Sequence, residues 1–410
     1  MPTIDEQVAL LMQGAEYGDP KTKAMMAEEL RQRLIEAEKE GRPLKVYCGY
    51  DPRTTDLHLG HTITMRKLRQ FQDLGHDVTF LIGTFTSLIG DPSDKDSARE
   101  QLTPETVRRN AQTYAEQAFK ILDPERTRVR YNDEWLADLN FADIIRLASN
   151  FTVQQFLARD NFRNRLDAGE PIYLHELFYA LMQAYDAVAQ EADVQVGGQD
   201  QLFNIVVAGR KLQQALGQRP QVAIIMGEML PGTDGEIKMS KSLGNHIPIM
   251  APPEDMYGKV MSIPDKAMLV YYKLVLGWSP AQLAELERKL SSGEAHPRDV
   301  KMALAREIVT IFHDAEAARR AEQDFVRKFQ ERGLPDDMPT VYLEAPERVV
   351  DLLARLKMVA SKGEAKRLVQ NAGIRVDGQQ IGDINAEVRP EELPVVVQVG
   401  KRKFVRLEKA

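Results

Sequence analysis

The chain has 410 residues with 43% hydrophobic and 28% charged side chains, which predicts a globular protein of two or three domains. Its net charge of −7 argues against a protein that coats nucleic acid indiscriminately, and its single cysteine, Cys48, excludes an internal disulfide and a multi-cysteine metal site. Because no apolar run approaches the roughly 20 residues of a membrane helix, and because the N-terminus lacks an apolar signal core, we expect no membrane contact and a cytoplasmic location.

The first half of the chain predicts an α/β fold with a parallel sheet. The apolar run 44–50 ends at Asp51-Pro52, residues 58–74 have helical periodicity, and residues 78–83 form a second apolar run. A strand, a helix and a strand within about 40 residues make a βαβ unit, whose crossover requires parallel strands. Further predicted elements are helices at 26–40, 104–121, 141–159 and 174–190 and a strand at 222–226.

The pattern changes after Pro248. Residues 254–330 have helical periodicity without a clear strand, and the three prolines between Arg332 and Pro346 predict a linker. The following residues predict helices at 348–356 and 363–371, a strand and turn at 374–378, and a hairpin of 395–399 with 403–407 around Gly400. The predicted domains are an α/β domain at 1–248, a helical domain at 249–331, a linker at 332–346 and a small α+β domain at 347–410.

The terminal segment is basic although the chain is acidic. Residues 346–410 contain 13 Lys and Arg against 9 Asp and Glu, a balance of +4, so the other residues carry −11. A basic tail on an acidic body indicates a local contact with a polyanion, and a chance asymmetry of a solvated surface is the alternative.

The tetrad His58-Leu59-Gly60-His61 follows the first predicted strand and opens a helix. Ligands bind at this carboxyl edge of a parallel sheet, and the free N–H groups of a helix N-terminus attract phosphate. Gly60 leaves room for a flat base, and the two imidazoles can hydrogen-bond phosphate oxygens. Taken alone, the tetrad also fits two structural histidines or, with Asp51 and Asp56, a metal site, although no HExxH pattern is present.

The pentad Lys238-Met239-Ser240-Lys241-Ser242 lies among glycines and other small polar residues, so we expect a mobile loop. Mobile lysines can close over a phosphate and stabilise charge that appears only in the transition state. A flexible solvated loop without function is the alternative.

Together, the two motifs resemble the HxGH and KMSKS signatures of class I aminoacyl-tRNA synthetases. The resemblance implies a Rossmann-like catalytic domain, ATP with Mg²⁺ as the substrate complex, and no tightly bound metal held by the protein. It implies two steps, activation of an amino acid and its transfer to tRNA. The residues that it implies as catalytic are His58, His61, Lys238 and Lys241, and it adds Gly60, Met239 and Ser240 as ATP contacts.

The remaining motifs resemble the tyrosyl-tRNA synthetase family over nearly the whole chain. The matching stretches are Tyr47-Cys48-Gly49-Tyr50-Asp51-Pro52, Leu88-Ile89-Gly90-Asp91-Pro92-Ser93 and Gly197-Gly198-Gln199-Asp200-Gln201. Tyr179, Gln183 and Asp186 also match, and their spacing places them on one face of one helix. A row of phenol, amide and carboxylate suits a ligand that carries an ammonium and a hydroxyl; a buried polar network between helices is the alternative.

The resemblance implies a role for each of these residues. Tyr47 and Asp186 bind the phenol of L-tyrosine, whose absence from phenylalanine leaves buried polar groups unpaired, an effect for which tyrosyl-tRNA synthetases are themselves the usual illustration. Asp91, Tyr179 and Gln183 hold the α-ammonium, and Gln201 orients the carboxylate. The implied ATP contacts are Cys48, Gly49, Asp51, Gly198, Asp200, Lys95 and Arg99. For Cys48, a small buried core residue is the alternative.

Two positions depart from the family pattern. Arg53 stands where many members have a threonine, which puts a hydroxyl contact to phosphate in doubt, although a guanidinium can replace it as a charge partner. Asp94 stands where glycine is common.

The terminal unit resembles the small RNA-binding domain shared with ribosomal protein S-four. The resemblance rests on Ala360-Ser361-Lys362-Gly363-Glu364-Ala365-Lys366-Arg367-Leu368 and Val376-Asp377-Gly378. It implies that tRNA(Tyr) is a partner and that Lys362, Lys366 and Arg367 contact its phosphates, with an unrelated α+β appendage as the alternative. The family is homodimeric, and apolar residues within 151–178 are candidates for the interface.

Three other functions stay open at this stage. A tryptophanyl-tRNA synthetase is the nearest, and Tyr47, Asp186 and the terminal unit argue against it. A non-catalytic RNA-binding protein on a synthetase scaffold would not need both ATP motifs. A nucleotidyltransferase shares HxGH, but the helical and basic C-terminal third argues against it.

Overall fold

The computed structural model describes residues 2–93, 101–330, 338–371, 373–400 and 403–409. The chain divides into two compact units, Met1–Glu322 and Gln323–Ala410. The predicted boundary at residue 248 lies inside the first unit, and the division into four segments stays a prediction. Within the described ranges, no helix has the length and apolar character needed to cross a membrane.

A five-stranded parallel sheet forms the centre of the first unit, as the βαβ pattern predicts. Its strands are β1 (Lys45–Tyr50), β2 (Asp77–Ile82), β3 (Thr127–Tyr131), β4 (Val194–Gly198) and β5 (Val222–Met226). They are ordered β3-β2-β1-β4-β5, and every pair is parallel. The strand order therefore reverses between β1 and β4, and a reversal of this kind opens a crevice for ligands at the carboxyl ends of the strands.

Helices account for most of the rest of this unit. In the part that contains the sheet they are α1 (Ile4–Met12), α2 (Pro20–Glu40), α3 (Thr62–Asp73), α4 (Thr86–Ile89), α5 (Pro104–Ala111), α6 (Tyr114–Ala118), α7 (Asp133–Leu136), α8 (Phe141–Ala148), α9 (Val153–Leu157), α10 (Asp160–Asp167), α11 (Leu174–Ala189) and α12 (Arg210–Ala215). After β5 follow α13 (Pro253–Ser262), α14 (Met268–Leu274), α15 (Pro280–Ser292), α16 (Pro297–Phe312) and α17 (Ala315–Phe325), which ends just inside the second unit. This confirms the helical region predicted after Pro248.

Local side-chain bonds explain where the helices differ from their predicted bounds. The predicted helix 104–121 breaks between α5 and α6, where the Thr113 hydroxyl donates to Thr55 O at 3.2 Å, a bond to a distant segment that sequence periodicity does not reveal. The predicted helix 141–159 breaks because Thr152 and Gln155 form a capping box that starts α9. Strand β3 was not predicted because arginines alternate along this edge strand. Strand β4 was not predicted because its last two residues are glycines.

The second unit contains a mixed sheet and its own apolar core. The elements are β6 (Thr340–Leu343), β7 (Glu347–Arg348), α18 (Val349–Arg355), α19 (Lys362–Gln370), β8 (Ile374–Val376), β9 (Gln379–Gln380), β10 (Glu387–Val388), β11 (Val395–Val399) and β12 (Lys403–Lys409). The five-stranded sheet has the order β6-β12-β11-β8-β9. The strand and turn predicted at 374–378 and the hairpin predicted for 395–399 with 403–407 are confirmed. Thr340–Leu343, assigned to the linker from sequence, instead pairs in parallel with β12.

Candidate functional site

The predicted site residues of the first unit lie at the carboxyl edge of its sheet. Tyr47, Cys48 and Gly49 belong to β1, Asp51 and the histidine tetrad follow it, and Asp91 follows β2. Gly198 ends β4, and the short turn Gln199–Gln201 follows directly. The strand order thus gathers residues that are distant in sequence around the crevice between β1 and β4.

His58 and His61 are fixed by hydrogen bonds to backbone N–H groups. Nδ1 of His58 accepts from Gly60 N–H at 3.2 Å, and Nδ1 of His61 accepts from His58 N–H at 3.1 Å. Burial and, to a smaller extent, neighbouring cationic groups lower the pKa of both imidazoles, that of His61 to about 4. Both rings are therefore neutral near pH 7, and because Nδ1 accepts, each presents an Nε2–H donor.

The tetrad pairs through its backbone with the segment that follows the lysine motif. Leu59 N–H donates to Ile247 O at 3.0 Å, and Ile249 N–H donates to Leu57 O at 3.0 Å. A Cβ at Gly60 would lie 3.0 Å from the His58 ring and 3.8 Å from Met239 Cβ, so a side chain there would crowd the histidine. The two motifs, far apart in sequence, are neighbours in the fold.

Hydrogen bonds inside the lysine loop hold its backbone. Asn245 accepts from Ser240 N–H at 2.8 Å and donates to Asp234 at 2.6 Å, while Met239 is buried. Asp234 in turn accepts from the N–H of Glu236 at 2.8 Å. These bonds define one conformation of the loop, and the mobility expected from its composition stays a prediction.

Both motif lysines contact carboxylates of the site. Lys241 Nζ donates to Asp56 at 2.8 Å, and Lys238 Nζ lies 3.7 Å from Asp200. The Lys241 ammonium holds the pKa of Asp56 below its usual range. Each of the two ammonium groups that the sequence assigns to phosphate therefore lies next to one carboxylate, and their contact with phosphate stays a prediction.

One end of the site carries a phenol and a carboxyl. Asp186 accepts hydrogen bonds from Trp135 Nε1 at 2.8 Å and from Asn132 Nδ2 at 3.3 Å, and burial raises its pKa to about 8. The hydroxyl of Tyr47, a residue that is 2% exposed, has no hydrogen-bond partner among the described residues. Since a buried hydroxyl without a partner is costly, a bound group with its own donor and acceptor would stabilise this end.

The residues predicted to hold an ammonium make hydrogen bonds with other polar side chains of the site. The Tyr179 hydroxyl donates to Asp51 at 3.1 Å, and Gln201 Nε2 donates to Asp91 at 2.5 Å. Burial raises the pKa of Asp91 and raises that of Asp51 to about 7. The structure therefore places Asp51, assigned to ATP from sequence, in direct contact with a residue assigned to tyrosine.

Asn204 connects the polar side chains of Gln183, Gln201 and Ser93. Its Nδ2 lies 2.9 Å from Gln183 Oε1, 3.1 Å from Gln201 Oε1 and 3.2 Å from Ser93 Oγ. Asn204 is fully buried in the π-helical segment Phe203–Gly209, a form that often marks functional sites. Ser93 N–H donates to Asp91 at 2.8 Å, so the contacts run without a break from Gln183 to Asp91.

Sequence reasoning missed four side chains of this site, Asn132, Trp135, Arg159 and Asn204. Asn132 directly follows β3, so recognition of that strand would have placed a polar residue at the carboxyl edge of the sheet. The other three lie on helices or at a helix start with no motif around them, and only the tertiary contacts reveal them.

Other predicted contacts have simpler outcomes. Cys48 is buried and burial raises its pKa to about 11, which fits a small core residue, and a ribose contact stays a prediction. A Cβ at Gly198 would lie 2.7 Å from Asp200 Oδ1, so glycine allows the acid to turn back on its strand.

Arg53 donates to Ser87 O at 2.8 Å, which ties the loop after β1 to the segment after β2. Asp94, Lys95 and Arg99 lie outside the described residues.

The metal alternative for the histidine tetrad finds no support in the described part of the chain. No group of three or more His, Cys, Asp and Glu side chains in these ranges could hold a metal ion.

The predicted RNA contacts of the second unit lie on or at the start of α19. Lys362, Lys366 and Arg367 are exposed there, and Lys362 Nζ lies 2.7 Å from Asp351. A basic exposed helix face suits phosphate.

Family models cover nearly the whole chain. A model described as tRNA synthetases class I (W and Y) matches residues 39–330. A model described as the tyrosine–tRNA ligase SYY-like C-terminal domain matches residues 330–407.

Relatives with known names agree with these models. A tyrosine–tRNA ligase of Thermotoga maritima is 48% identical over 405 residues, which are 99% of this chain and 98% of the relative. A tyrosine–tRNA ligase of Moorella thermoacetica is 50% identical over 382 residues, 93% and 92% of the two chains. A crystal structure of tyrosyl-tRNA synthetase complexed with L-tyrosine from Archaeoglobus fulgidus has a TM-score of 0.61 and 25% identity, and it covers 78% of this chain and 100% of that one.

Proposed function

Because the chain belongs to the class I tRNA synthetases of the tryptophan and tyrosine type and is a tyrosine–tRNA ligase, we propose that the crevice between β1 and β4 activates L-tyrosine with ATP. The observation that carries this proposal is the buried Tyr47 hydroxyl without a partner among the described residues, which interacts electrostatically with the Asp186 carboxyl. A substrate phenol provides both a donor and an acceptor for this pair.

Tyr47 and Asp186 lie at one end of the proposed substrate, and the residues proposed to bind its ammonium lie at the other. Asp91, Tyr179 and Gln183 bind the α-ammonium, with Asp51 acting through its hydrogen bond from Tyr179. Gln201 orients the carboxylate toward the nucleotide. Phenylalanine would leave Tyr47 and Asp186 unpaired, so the enzyme rejects it.

In the first step, the tyrosine carboxylate attacks the α-phosphorus of ATP, and tyrosyl-adenylate forms as pyrophosphate leaves. The attacking carboxylate is already ionised, so the step needs positioning and charge stabilisation rather than a general base. The Nε2–H groups of His58 and His61 donate to phosphate oxygens, and Lys238 and Lys241 compensate the charge of the leaving pyrophosphate. Mg²⁺ enters with ATP as part of the substrate complex, while Gly60, Gly198 and Asp200 contact the nucleotide.

In the second step, a hydroxyl of the 3′-terminal ribose of tRNA(Tyr) attacks the adenylate carbonyl, and AMP leaves. The second unit binds this tRNA through the α19 side chains Lys362, Lys366 and Arg367, whose exposure supports phosphate contact. A tRNA substrate also favours the cytoplasm as the site of action.

A homodimer is the proposed assembly. Phe141, Ile145, Val153, Leu166 and Leu174 are each more than half exposed, and they belong to four consecutive helices, α8 to α11. Large apolar side chains concentrated in one exposed stretch indicate a protein interface. A second copy of the chain is its proposed partner, since most soluble oligomers are symmetric homo-oligomers.

The test is ATP–pyrophosphate exchange with a panel of amino acids. We expect exchange with tyrosine and very weak exchange with phenylalanine and tryptophan; exchange with tryptophan alone would contradict the substrate assignment. Lys241→Ala should slow adenylate formation far more than it weakens tyrosine binding, because the lysine acts on phosphate charge. Lys266→Ala, which removes an exposed lysine paired with Glu236, is the matched control.

A further inference from the structure

Arg159 is a buried cation beside the proposed ammonium site. It immediately precedes α10 and is 8% exposed, which is unusual for an arginine. Its guanidinium lies 4.9 Å from the ring centroid of Phe203 and 5.4 Å from that of Phe162. Packing against two aromatic rings limits the positions of the planar guanidinium, so its donors point in fixed directions.

The guanidinium reaches the polar network through one serine. Arg159 Nη2 donates to Ser93 Oγ at 2.5 Å, and Ser93 N–H donates to Asp91 at 2.8 Å. Asn204 Nδ2 lies 3.2 Å from the same Ser93 oxygen and also contacts Gln183 and Gln201. Ser93 therefore links Arg159 to the side chains proposed to bind the backbone groups of tyrosine.

Charge complements this geometry. The first unit brings Asp51, Asp91 and Asp200 into one network region, and the first two carboxyls lose solvation there. Arg159 interacts electrostatically with Asp91, Asp200 and Tyr179. A buried positive charge near these acids favours an ionised Asp91, the form that attracts an ammonium.

We propose that Arg159 is a positioning residue for amino-acid selection, which orients the Asp91 carboxylate through Ser93 without touching the substrate. This inference rests on the proposed binding of the α-ammonium by Asp91. It assigns Arg159 to tyrosine binding rather than to ATP, although no sequence motif surrounds the residue.

The test substitutes Arg159 by Met, which keeps an unbranched apolar stem between the rings, and by Lys, which keeps the charge. Loss of a buried charge-assisted hydrogen bond predicts that Arg159→Met raises the KM for tyrosine about tenfold to hundredfold. The KM for ATP should stay within about twofold, and Arg159→Lys should recover part of the tyrosine affinity. Arg163→Met is the matched control, because Arg163 belongs to α10 but is exposed and bonds Ala158 O.

Two inhibitors separate positioning of Asp91 from direct contact with the substrate carboxylate. Tyramine has the ammonium and no carboxylate, and 3-(4-hydroxyphenyl)propionate has the carboxylate and no ammonium. We expect Arg159→Met to weaken inhibition by tyramine strongly and by the propionate little. The reverse order, or equal KM changes for tyrosine and ATP, would overturn the proposal.

Two further variants keep the outcome interpretable. Asp91→Asn should itself raise the KM for tyrosine; if it does not, the proposed ammonium site is wrong. If Asp91→Asn impairs binding and Arg159→Met does not, only the role of Arg159 is wrong. If Arg159→Met fails to fold, as judged by thermal unfolding, Ser93→Ala removes the same hydrogen bond with a smaller change. Ser93→Ala should then raise the KM for tyrosine and leave the KM for ATP nearly unchanged.

Discussion

The indole N–H of Trp135 donates a 2.8 Å hydrogen bond to Asp186, the carboxyl proposed to select the substrate phenol. Trp135 follows β3 on α7 and Asp186 lies on α11, so the bond joins two elements that meet only in the fold. The Arg130 guanidinium lies over the Trp135 ring, 5.1 Å from the ring centroid. The indole is thus held in place while it orients the carboxyl.

Replacement of Trp135 by Phe should therefore weaken selection of tyrosine. The aromatic ring is largely kept, but the buried carboxyl loses one donor, which costs about 1–3 kcal/mol. That loss corresponds to a rise of at least about fivefold in the KM for tyrosine, with little change in the KM for ATP. Exchange kinetics measure both constants, and Trp278→Phe, which alters the second tryptophan in the helical region, is the control; equal effects of both variants would contradict the assignment.

The raised pKa of Asp186 predicts a pH-dependent stability difference. An unfolded Asp loses its proton near pH 3.8, whereas Asp186 in the fold has a pKa of about 8 because burial disfavours the charge. Between these values the folded state binds more protons than the unfolded state, so this group lowers the free energy of unfolding as pH rises. The difference in thermal stability between Asp186→Asn and its parent should therefore grow in favour of the variant from about pH 5 to about pH 8. Above about pH 8 this difference should stay constant.

Thermal unfolding at a series of pH values tests this. A difference between Asp186→Asn and its parent that shrinks as pH rises would show that the carboxyl is stabilised in its charged form. The same variant should lose most tyrosine activation, because the Asn N–H₂ group would face one of the N–H donors of Trp135 and Asn132 that now bind the two carboxyl oxygens.

The salt bridge between Lys241 and Asp56 must break before the lysine can bind the phosphates of ATP. Both side chains are partly exposed, and pairs of this kind contribute at most about 1 kcal/mol. Asp56→Asn should therefore raise kcat/KM for ATP by up to about fivefold. The increase should vanish in a Lys241→Ala background, whereas a simple loss of repulsion between Asp56 and phosphate would persist there.

Stopped-flow measurement of adenylate formation gives these rates. Glu236→Gln removes a carboxylate from the same loop that pairs with Lys266 rather than with a motif lysine, and it serves as the control. A fall in kcat for Asp56→Asn would show instead that the acid holds Lys241 in its working position.

Removal of residues 331–410, which include the described strands of the second unit, should separate the two steps. Truncation of residues 331–410 removes β6 together with its partner β12, so neither strand is left without the other. We expect pyrophosphate exchange to continue and tRNA charging to fall strongly. The full-length variant Lys362→Ala, Lys366→Ala, Arg367→Ala should reduce both charging and its salt dependence, because fewer phosphate contacts release fewer counterions; unchanged charging would exclude a tRNA contact at α19.

The apolar surface of α8 to α11 predicts a dimer that a charge can break. Leu174→Glu places a carboxylate on a side chain that is 69% exposed in the single chain, so folding should be unaffected. Buried in an interface, the same charge would be unpaired and strongly unfavourable. Sedimentation should show a dimer for the parent and a monomer for the variant; Leu216→Glu, at a 37% exposed site after α12, is the control.

The parallel sheet can be predicted from local information. Apolar runs 44–50 and 78–83 and the intervening helix specify a βαβ unit because strand and helix periodicities and chain direction are local properties. Strand β3 is different, since its arginines alternate along a sheet edge and only pairing with β2 defines it. Segment 340–343 lies among prolines, and only its pairing with β12 identifies it as a strand.

The family, the two motifs proposed to bind phosphate and the row Tyr179, Gln183, Asp186 can all be recognised in the sequence, because short spacings and residue chemistry are sufficient for these. The side chains that support them are visible only after folding, since Asn132, Trp135, Arg159 and Asn204 reach the site by long-range packing. Burial is likewise a property of the whole fold, and it sets the proton on Asp186 and the neutral rings of His58 and His61.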